Sequence, residues 1–185
     1  MPDLLRARLT SQFDDYFQRW PKEMAADRGF SALLAEPDPF VRARLEGHFT
    51  ASAWLVSADG TRVLLMHHAK LLRWLQPGGH ADGDVDLSRV ALKEAEEETG
   101  LTGLVLDDPA VFDLDCHWIP ERKDVPGHWH FDVRYVVRAG GGETFVGNHE
   151  SLGLAWRPVA EVAADPDESL SRMAGKWLAR QAASD

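Results

Sequence analysis

The sequence predicts an α/β fold in which a mixed β-sheet is covered by helices, and three patterns support this prediction. Residues 49–66 contain two apolar, strand-like runs separated by an Asp59-Gly60 turn signal. Residues 86–99 have the periodicity of a helix, and further strand-like runs follow them. Residues 168–182 carry an apolar helical stripe. Because strands lie on both sides of the first of these helices, a mixed sheet between helices is the simplest architecture.

The first 47 residues are predicted to form a helical extension to a main domain over residues 48–185. Apolar residues recur at helical spacing until Pro21 interrupts the pattern. A second helix is expected over residues 22–34, and a short third helix over residues 40–45. We expect this extension to pack on the main domain, and the alternatives are a substrate lid or a dimer contact.

The strands of the main domain are expected on both sides of the helix at residues 86–99. Each is a short apolar run bounded by turn-forming residues. The predicted strands cover residues 49–56, 61–66, 104–106, 110–116, 129–137 and 152–156.

Composition narrows the range of partners. The net charge of −10 argues against non-specific binding to nucleic acid or to anionic membranes, although a bound metal could still attract a phosphate substrate. Cys116 is the single cysteine, so no internal disulfide is expected. No apolar run approaches the length of about 18 residues that a membrane helix needs. The first ten residues of the chain lack the pattern of a signal peptide. We therefore expect a cytoplasmic protein.

The helix at residues 86–99 has an unusual distribution of acids. At about 100° per residue, Glu94 and Glu98 fall on the same face as the apolar residues of the first two turns, and Glu97 lies at its margin. Carboxylates this close repel one another and are costly to bury unless a cation pairs with them. Hard oxygen ligands suit Mg²⁺, with Mn²⁺ as an alternative. A solvated acidic helix end is the other interpretation, but acids near a helix C-terminus are unfavourable.

Residues 79–101 resemble the Nudix box, a motif that reads Gly, five residues, Glu, seven residues, Arg-Glu-apolar-x-Glu-Glu-x-Gly-apolar. The stretch from Lys93 to Leu101 matches the second half, with Lys93 in place of arginine. In the first half, Val85 stands where the motif has glutamate. Lysine braces a neighbouring carboxylate less well than arginine, because it is a point donor and not a planar fork.

The aspartates on either side of Val85 have two possible roles. They are Asp82, Asp84 and Asp86. We expect them to cap the helix or to serve the outer shell of a metal site, where they could compensate for the missing glutamate.

The resemblance implies a Nudix α/β/α sandwich that hydrolyses a diphosphate linked to another group, often a nucleoside. Glu94, Glu97 and Glu98 would bind Mg²⁺ together with the backbone carbonyl of Gly79. One of these glutamates, or Glu150 in a later loop, would take the proton from the attacking water. The alternative is a Nudix-fold module that binds a nucleotide-like ligand in a regulatory role and has lost catalysis, as the substitutions at Val85 and Lys93 suggest. An isomerase acting on a diphosphate ester is a further alternative.

Several residues outside the motif are candidates for other roles. Arg73, His128, His130 and Arg134 are candidate contacts to substrate phosphate, and His128 and His130 would share a face of a strand. A zinc set of Cys116, His117, His128 and His130 is also conceivable, although its spacing matches no standard structural site. The partners we expect are a small phosphate-containing substrate and, through the helical extension, a second copy of the chain in a homodimer.

Overall fold

The computed structural model describes residues 2–122, 125–147 and 151–183. Within these ranges the chain forms five α-helices and a 3₁₀ helix at Pro21–Ala26. The α-helices are α1 (Pro2–Arg19), α2 (Asp27–Ala35), α3 (Leu87–Thr99), α4 (Val159–Val162) and α5 (Glu168–Ala182).

Eight strands in the described ranges belong to one sheet, which has the central order β3-β2-β1-β7-β5. β4 pairs with β1, β6 with β7 and β8 with β2. The strands are β1 (Gly47–Val56), β2 (Arg62–His68), β3 (Trp74–Leu75), β4 (Gly78–His80), β5 (Leu104–Leu106), β6 (Asp113–Ile119), β7 (His128–Ala139) and β8 (Ser151–Pro158).

The chain divides into two compact units, and β1, β4, α3 and β7 contribute residues to both. The first unit contains residues 1–52, 79–91 and 109–135. The second contains residues 53–78, 92–108 and 136–185.

An aromatic core connects the N-terminal helices of the first unit to its strands. Phe13 of α1 and Phe30 of α2 are buried, with ring centroids 5.6 Å apart. The ring of Phe131 on β7 lies 5.3 Å from that of Phe30. Space between α2 and β7 is so limited that a Cβ at Gly29 would lie 2.8 Å from the Phe131 ring. The predicted packing of the N-terminal helices on the sheet is thus observed within this unit.

The second unit has an aliphatic core that includes Leu55 of β1, Leu64 of β2 and Ala95 of α3. The last helix, α5, buries Leu170, Met173, Ala174 and Trp177, which belong to the apolar stripe predicted from the sequence. Its N-terminus is capped by Asp167, whose side chain accepts hydrogen bonds from two backbone N–H groups of the first turn. These features explain why the limits of α5 agree with the predicted helix.

Two of the differences between the predictions and the structure concern short helices. Residues 40–45 form turns instead of a third helix, because Val41 N–H bonds to Asp38 O and Arg44 N–H bonds to Val41 O. Each bond joins residues three positions apart, as in a β-turn, and β1 begins directly afterwards. The apolar side chains of residues 40–45 therefore do not indicate a helix. The short helix α4 was not predicted, since four residues carry no readable periodicity.

Gly100 ends α3 in the left-handed conformation, with φ of +66°, as its predicted position after the helix requires. A Cβ there would lie 2.8 Å from the carbonyl oxygen of Val146, so the backbone would have to shift. We expect Gly100→Ala to lower the free energy of unfolding by about 1–2 kcal/mol. Gly175→Ala is the matched control: it lies in α5 with no atom near the added Cβ, and should stabilise by about 0.5–1 kcal/mol. Thermal unfolding of the two variants tests the difference, and a neutral Gly100→Ala would contradict it.

Candidate functional site

The segment before α3 is held by its aspartates. Asp86 accepts hydrogen bonds from Ser88 Oγ at 2.7 Å and from Arg89 N–H at 3.2 Å, so it caps the helix. Asp84 pairs with Arg89 at 2.7 Å, and Asp82 pairs with Arg42. The capping role predicted for this segment is observed for Asp86, while Asp82 and Asp84 are engaged by arginines.

Val85, which stands where the motif has glutamate, is half-buried. It lines a small cavity together with Leu5, Arg8 and Leu9 of α1 and with Tyr135 of β7. This lining is mixed in polarity, and Val85 contributes an apolar side chain to it. The departure from the motif therefore lies at a cavity that the N-terminal helix also lines.

The three glutamates of α3 differ in exposure. Glu98 is 4% exposed, and its carboxylate accepts a hydrogen bond from the Gly78 N–H at 2.9 Å. The side chain of Glu94 is 19% exposed, whereas that of Glu97 is 56% exposed. The three residues lie within about one helical turn of each other. The carboxylate of Glu98 is buried and hydrogen-bonded, that of Glu94 is partly exposed, and that of Glu97 is the most exposed.

Lys93 contacts two of these acids. Its Nζ lies 3.3 Å from Glu97 and 3.9 Å from Glu94, and its own side chain is 61% exposed. A lysine at this distance reduces the repulsion between carboxylates without the two-pronged bond that an arginine would form. Lys93 therefore interacts with the acidic face of α3.

The donor set of α3 fits a hard divalent cation. It consists of carboxylate oxygens from Glu94, Glu97 and Glu98, without a thiolate or an imidazole among them. The backbone bond from Gly78 to Glu98 fixes one carboxylate, and Gly79, the remaining predicted ligand, follows Gly78 in β4. Glu150, predicted as a catalytic acid, lies outside the described residues.

Arg134, a predicted substrate contact, is instead the centre of a buried ion-pair network. Its side chain is 3% exposed, and each of its three nitrogens bonds to a different carboxylate. Nε lies 2.8 Å from Asp132, Nη1 lies 3.0 Å from Asp113, and Nη2 lies 2.8 Å from Asp115. This guanidinium is enclosed by the fold, so a role in substrate binding does not fit it. Sequence reasoning missed the network because it depends on the pairing of β6 with β7.

Arg73, the other arginine predicted to contact substrate, lies at the surface. Its side chain is 60% exposed and pairs with Asp167, the residue that caps α5. An exposed ion pair of this kind is weak, so the guanidinium remains available to other anions.

Five histidines described in the first unit lie close together, and the sequence indicated only some of them. They are His48, His80, His117, His128 and His130. The ring of His48 stacks on that of His128, with centroids 5.0 Å apart, and lies 4.9 Å from that of His130. His48 is 1% exposed and His128 is 6% exposed, so the cluster is not an ordinary set of surface histidines.

Burial keeps several of these rings neutral. Burial, and to a smaller extent the neighbouring histidines, lower the pKa of His130 to about 2. Burial and the charge of Arg42 lower the pKa of His80 to about 4, and burial also lowers that of His48. Neutral imidazoles offer lone pairs to a metal but no charge to a phosphate.

Two residues of the zinc set that the sequence suggested, Cys116 and His117, do not belong to the group that the structure forms. Cys116 lies between Asp115 and His117 on β6, so its side chain points to the opposite face of the strand from His117. Burial raises the pKa of the Cys116 thiol to about 11, which disfavours the thiolate that a metal needs. Nδ1 of His117 lies 3.5 Å from a carboxylate oxygen of Asp115. The third member of the group that contains His128 and His130 is His48.

In the part of the chain that the structure describes, no helix has the length and apolarity to cross a membrane.

Comparison with known proteins identifies similar folds. The family model described as NUDIX domain matches residues 47–178. No curated protein sequence matches the chain.

Three solved structures illustrate the likeness. An Ap4A hydrolase binary complex from C. elegans is 16% identical, with a TM-score of 0.56 over 73% of this chain and 98% of that one. A NUDIX family hydrolase from Clostridium perfringens is 22% identical, with a TM-score of 0.55 over 70% and 95%. The NUDIX domain of Shewanella oneidensis NrtR, complexed with ADP ribose, is 21% identical, with a TM-score of 0.53 over 82% and 97%. At these identities the likeness establishes the fold, which confirms the predicted mixed sheet with helices.

Proposed function

The chain belongs to the NUDIX domain family, and on that premise we propose that it is a Mg²⁺-dependent pyrophosphohydrolase. The proposed reaction is hydrolysis of a diphosphate linkage in a nucleoside-diphosphate-linked or related compound. The observation that carries the proposal is the buried carboxylate of Glu98, which the Gly78 N–H holds within one turn of Glu94 and Glu97. A bound cation offsets the cost of burying a charge beside two further acids.

We assign Glu94, Glu97 and Glu98 to the binding of Mg²⁺, with Mn²⁺ as an alternative and the Gly79 carbonyl as a further ligand. When bound, the ion supplies charge that screens the phosphates, makes water more acidic and stabilises the leaving oxygen. One of the three glutamates, or Glu150, accepts the proton of the attacking water.

The residues around the acids prepare them for this role. Lys93 limits the repulsion between Glu94 and Glu97, from which its Nζ is 3.9 and 3.3 Å away. Arg73, whose exposed guanidinium is permanently charged, is the proposed contact to substrate phosphate, with His128 and His130 as the other candidates. The cytoplasmic location, the homodimer and the division into residues 1–47 and 48–185 remain predictions.

Hydrolysis of a compound panel tests the proposed function. The panel contains nucleoside triphosphates, dinucleoside polyphosphates, nucleotide sugars, ADP-ribose, coenzyme A and capped RNA. The Ap4A hydrolase and the ADP-ribose complex among the similar structures make the second and fourth of these the first to test. We expect release of a monophosphate product that stops when EDTA removes the metal and resumes when Mg²⁺ or Mn²⁺ is added in excess. Failure to hydrolyse any compound with either ion would contradict the proposal.

A regulatory binding module is the second candidate, and Val85 favours it. Val85 stands where the motif has an acid, and it lines a cavity together with residues of the N-terminal helix. The ADP-ribose complex of the NrtR domain motivates a nucleotide-like ligand. This candidate predicts that a panel compound raises the unfolding temperature while none is hydrolysed, which separates it from the enzyme.

A further inference from the structure

Three histidines of the first unit form a cluster that the proposed hydrolysis does not need as metal ligands. They are His48 on β1 and His128 and His130 on β7. We propose that these three side chains bind one Zn²⁺ ion.

The positions of the ring nitrogens are close to those that zinc requires. One nitrogen from each of the three rings lies within 4.8 Å of the others, and the two Nε2 atoms of His128 and His130 are 3.1 Å apart. In a tetrahedral site with Zn–N bonds of about 2.0–2.1 Å, ligand nitrogens lie about 3.3 Å apart. One pair already has this spacing, and the third nitrogen reaches it through a small side-chain movement.

The outer nitrogens of two rings are oriented by the backbone. Nδ1 of His48 lies 3.1 Å from the carbonyl oxygen of Arg44, and Nδ1 of His128 lies 2.8 Å from that of Pro126. A carbonyl only accepts, so Nδ1 carries the proton in both rings and Nε2 holds the lone pair when the ring is neutral. Metal-binding histidines characteristically donate their second N–H to a carbonyl or a carboxylate in this way.

The Nε2 atom of His48 supplies an independent indication of a ligand. It is buried, and among the described residues it has no hydrogen-bond partner. Because buried polar atoms are normally paired, this lone pair requires a partner of some kind. A cation between the three rings would satisfy it, and would replace the hydrogen bond that joins Nε2 of His128 to Nε2 of His130.

The chemistry of the donors selects the metal. Three imidazoles suit zinc and disfavour Mg²⁺, which prefers oxygen ligands. Three protein ligands leave the fourth position of a tetrahedral ion for water. Zinc binding would engage the Nε2 lone pairs of His128 and His130, so it is an alternative to their contact with substrate phosphate.

Titration of the full chain with Co²⁺, in excess Mg²⁺ to saturate the glutamates, tests the site directly. Co²⁺ is a visible probe for a tetrahedral zinc site, and Zn²⁺ is then added as the competitor. We expect the absorption of four-coordinate Co²⁺, saturation at one ion per chain and displacement by Zn²⁺. Absence of a saturable signal in the wild-type chain would overturn the proposal without the use of any variant.

Matched variants locate the ion. His48→Gln and His130→Gln should each weaken Co²⁺ binding by more than about 100-fold, which exceeds the usual effect of outer-shell changes. If His48→Gln does not fold, His130→Gln carries the same test, because its side chain is less buried. His117→Gln and Cys116→Ser should bind as the wild type does, as should Glu97→Gln. Binding that is lost in Glu97→Gln and kept in the histidine variants would place the ion on α3 and refute the histidine site.

Discussion

We expect Glu97→Gln to lower kcat for the best substrate by about 10²–10⁴-fold while the fold remains intact. The side chain is 56% exposed at the margin of the acidic face, so the amide is accommodated without repacking. The substitution keeps the shape of the side chain but removes its negative charge, and with it a metal ligand or proton acceptor. Steady-state kinetics with saturating Mg²⁺, together with thermal unfolding, measure the two effects separately.

Glu96→Gln is the control for this prediction, because it makes the same chemical change one residue away. Glu96 is exposed and lies outside the helical face that carries the other acids. We expect its kcat to equal that of the wild type. Equal rates for Glu97→Gln and wild type would refute the metal assignment, whereas equal losses in both variants would indicate a general effect of charge on α3.

The elements that could be predicted from the sequence are those specified by nearby residues. The helix α3 has a cap at Asp86 before it and Gly100 after it, and the apolar period lies between them. The last helix, α5, could be predicted in the same way, from its N-cap residue Asp167 and its apolar stripe. The family could be inferred from residues 79–101 because the motif is continuous in the chain. The family match confirms this inference.

The features that could not be predicted depend on contacts between distant segments. His48 joins His130 only because β1 and β7 are neighbours in the sheet, and no spacing along the chain indicates this. The same applies to Arg134 and Asp113, whose bond results from the register of β6 on β7. The alternation of side chains along one strand predicts which of them share a face. It does not predict which strands are neighbours in the sheet.

Val85 shows what the structure adds to a departure from a motif. In the sequence, Val85 only marks the absence of a glutamate. In the structure, Val85 lines a cavity together with Leu5, Arg8 and Leu9 of the N-terminal helix. The hydrogen bond from the Gly78 N–H to Glu98 is present although this glutamate of the motif is absent.

We expect Arg134→Met to reduce the free energy of unfolding by about 3–5 kcal/mol. Asp113 and Asp132 are 0% and 2% exposed, and removal of the guanidinium leaves both carboxylates buried without this cation. Methionine has a similar length, so the loss arises from charge and hydrogen bonding and not from a large cavity. Chemical denaturation of the variant and the wild type measures the difference.

An exposed pair provides the comparison that isolates burial. Arg42 and Asp82 have side chains that are 59% and 52% exposed, so Arg42→Met should cost only about 0.2–1 kcal/mol. Adding Asp113→Asn to Arg134→Met should restore part of the stability, because one of the unpaired buried charges is then removed. If Arg134→Met costs no more than Arg42→Met, the guanidinium does not hold these carboxylates. If only the buried arginine is costly and Asp113→Asn relieves the loss, the network is what allows acidic side chains inside this unit.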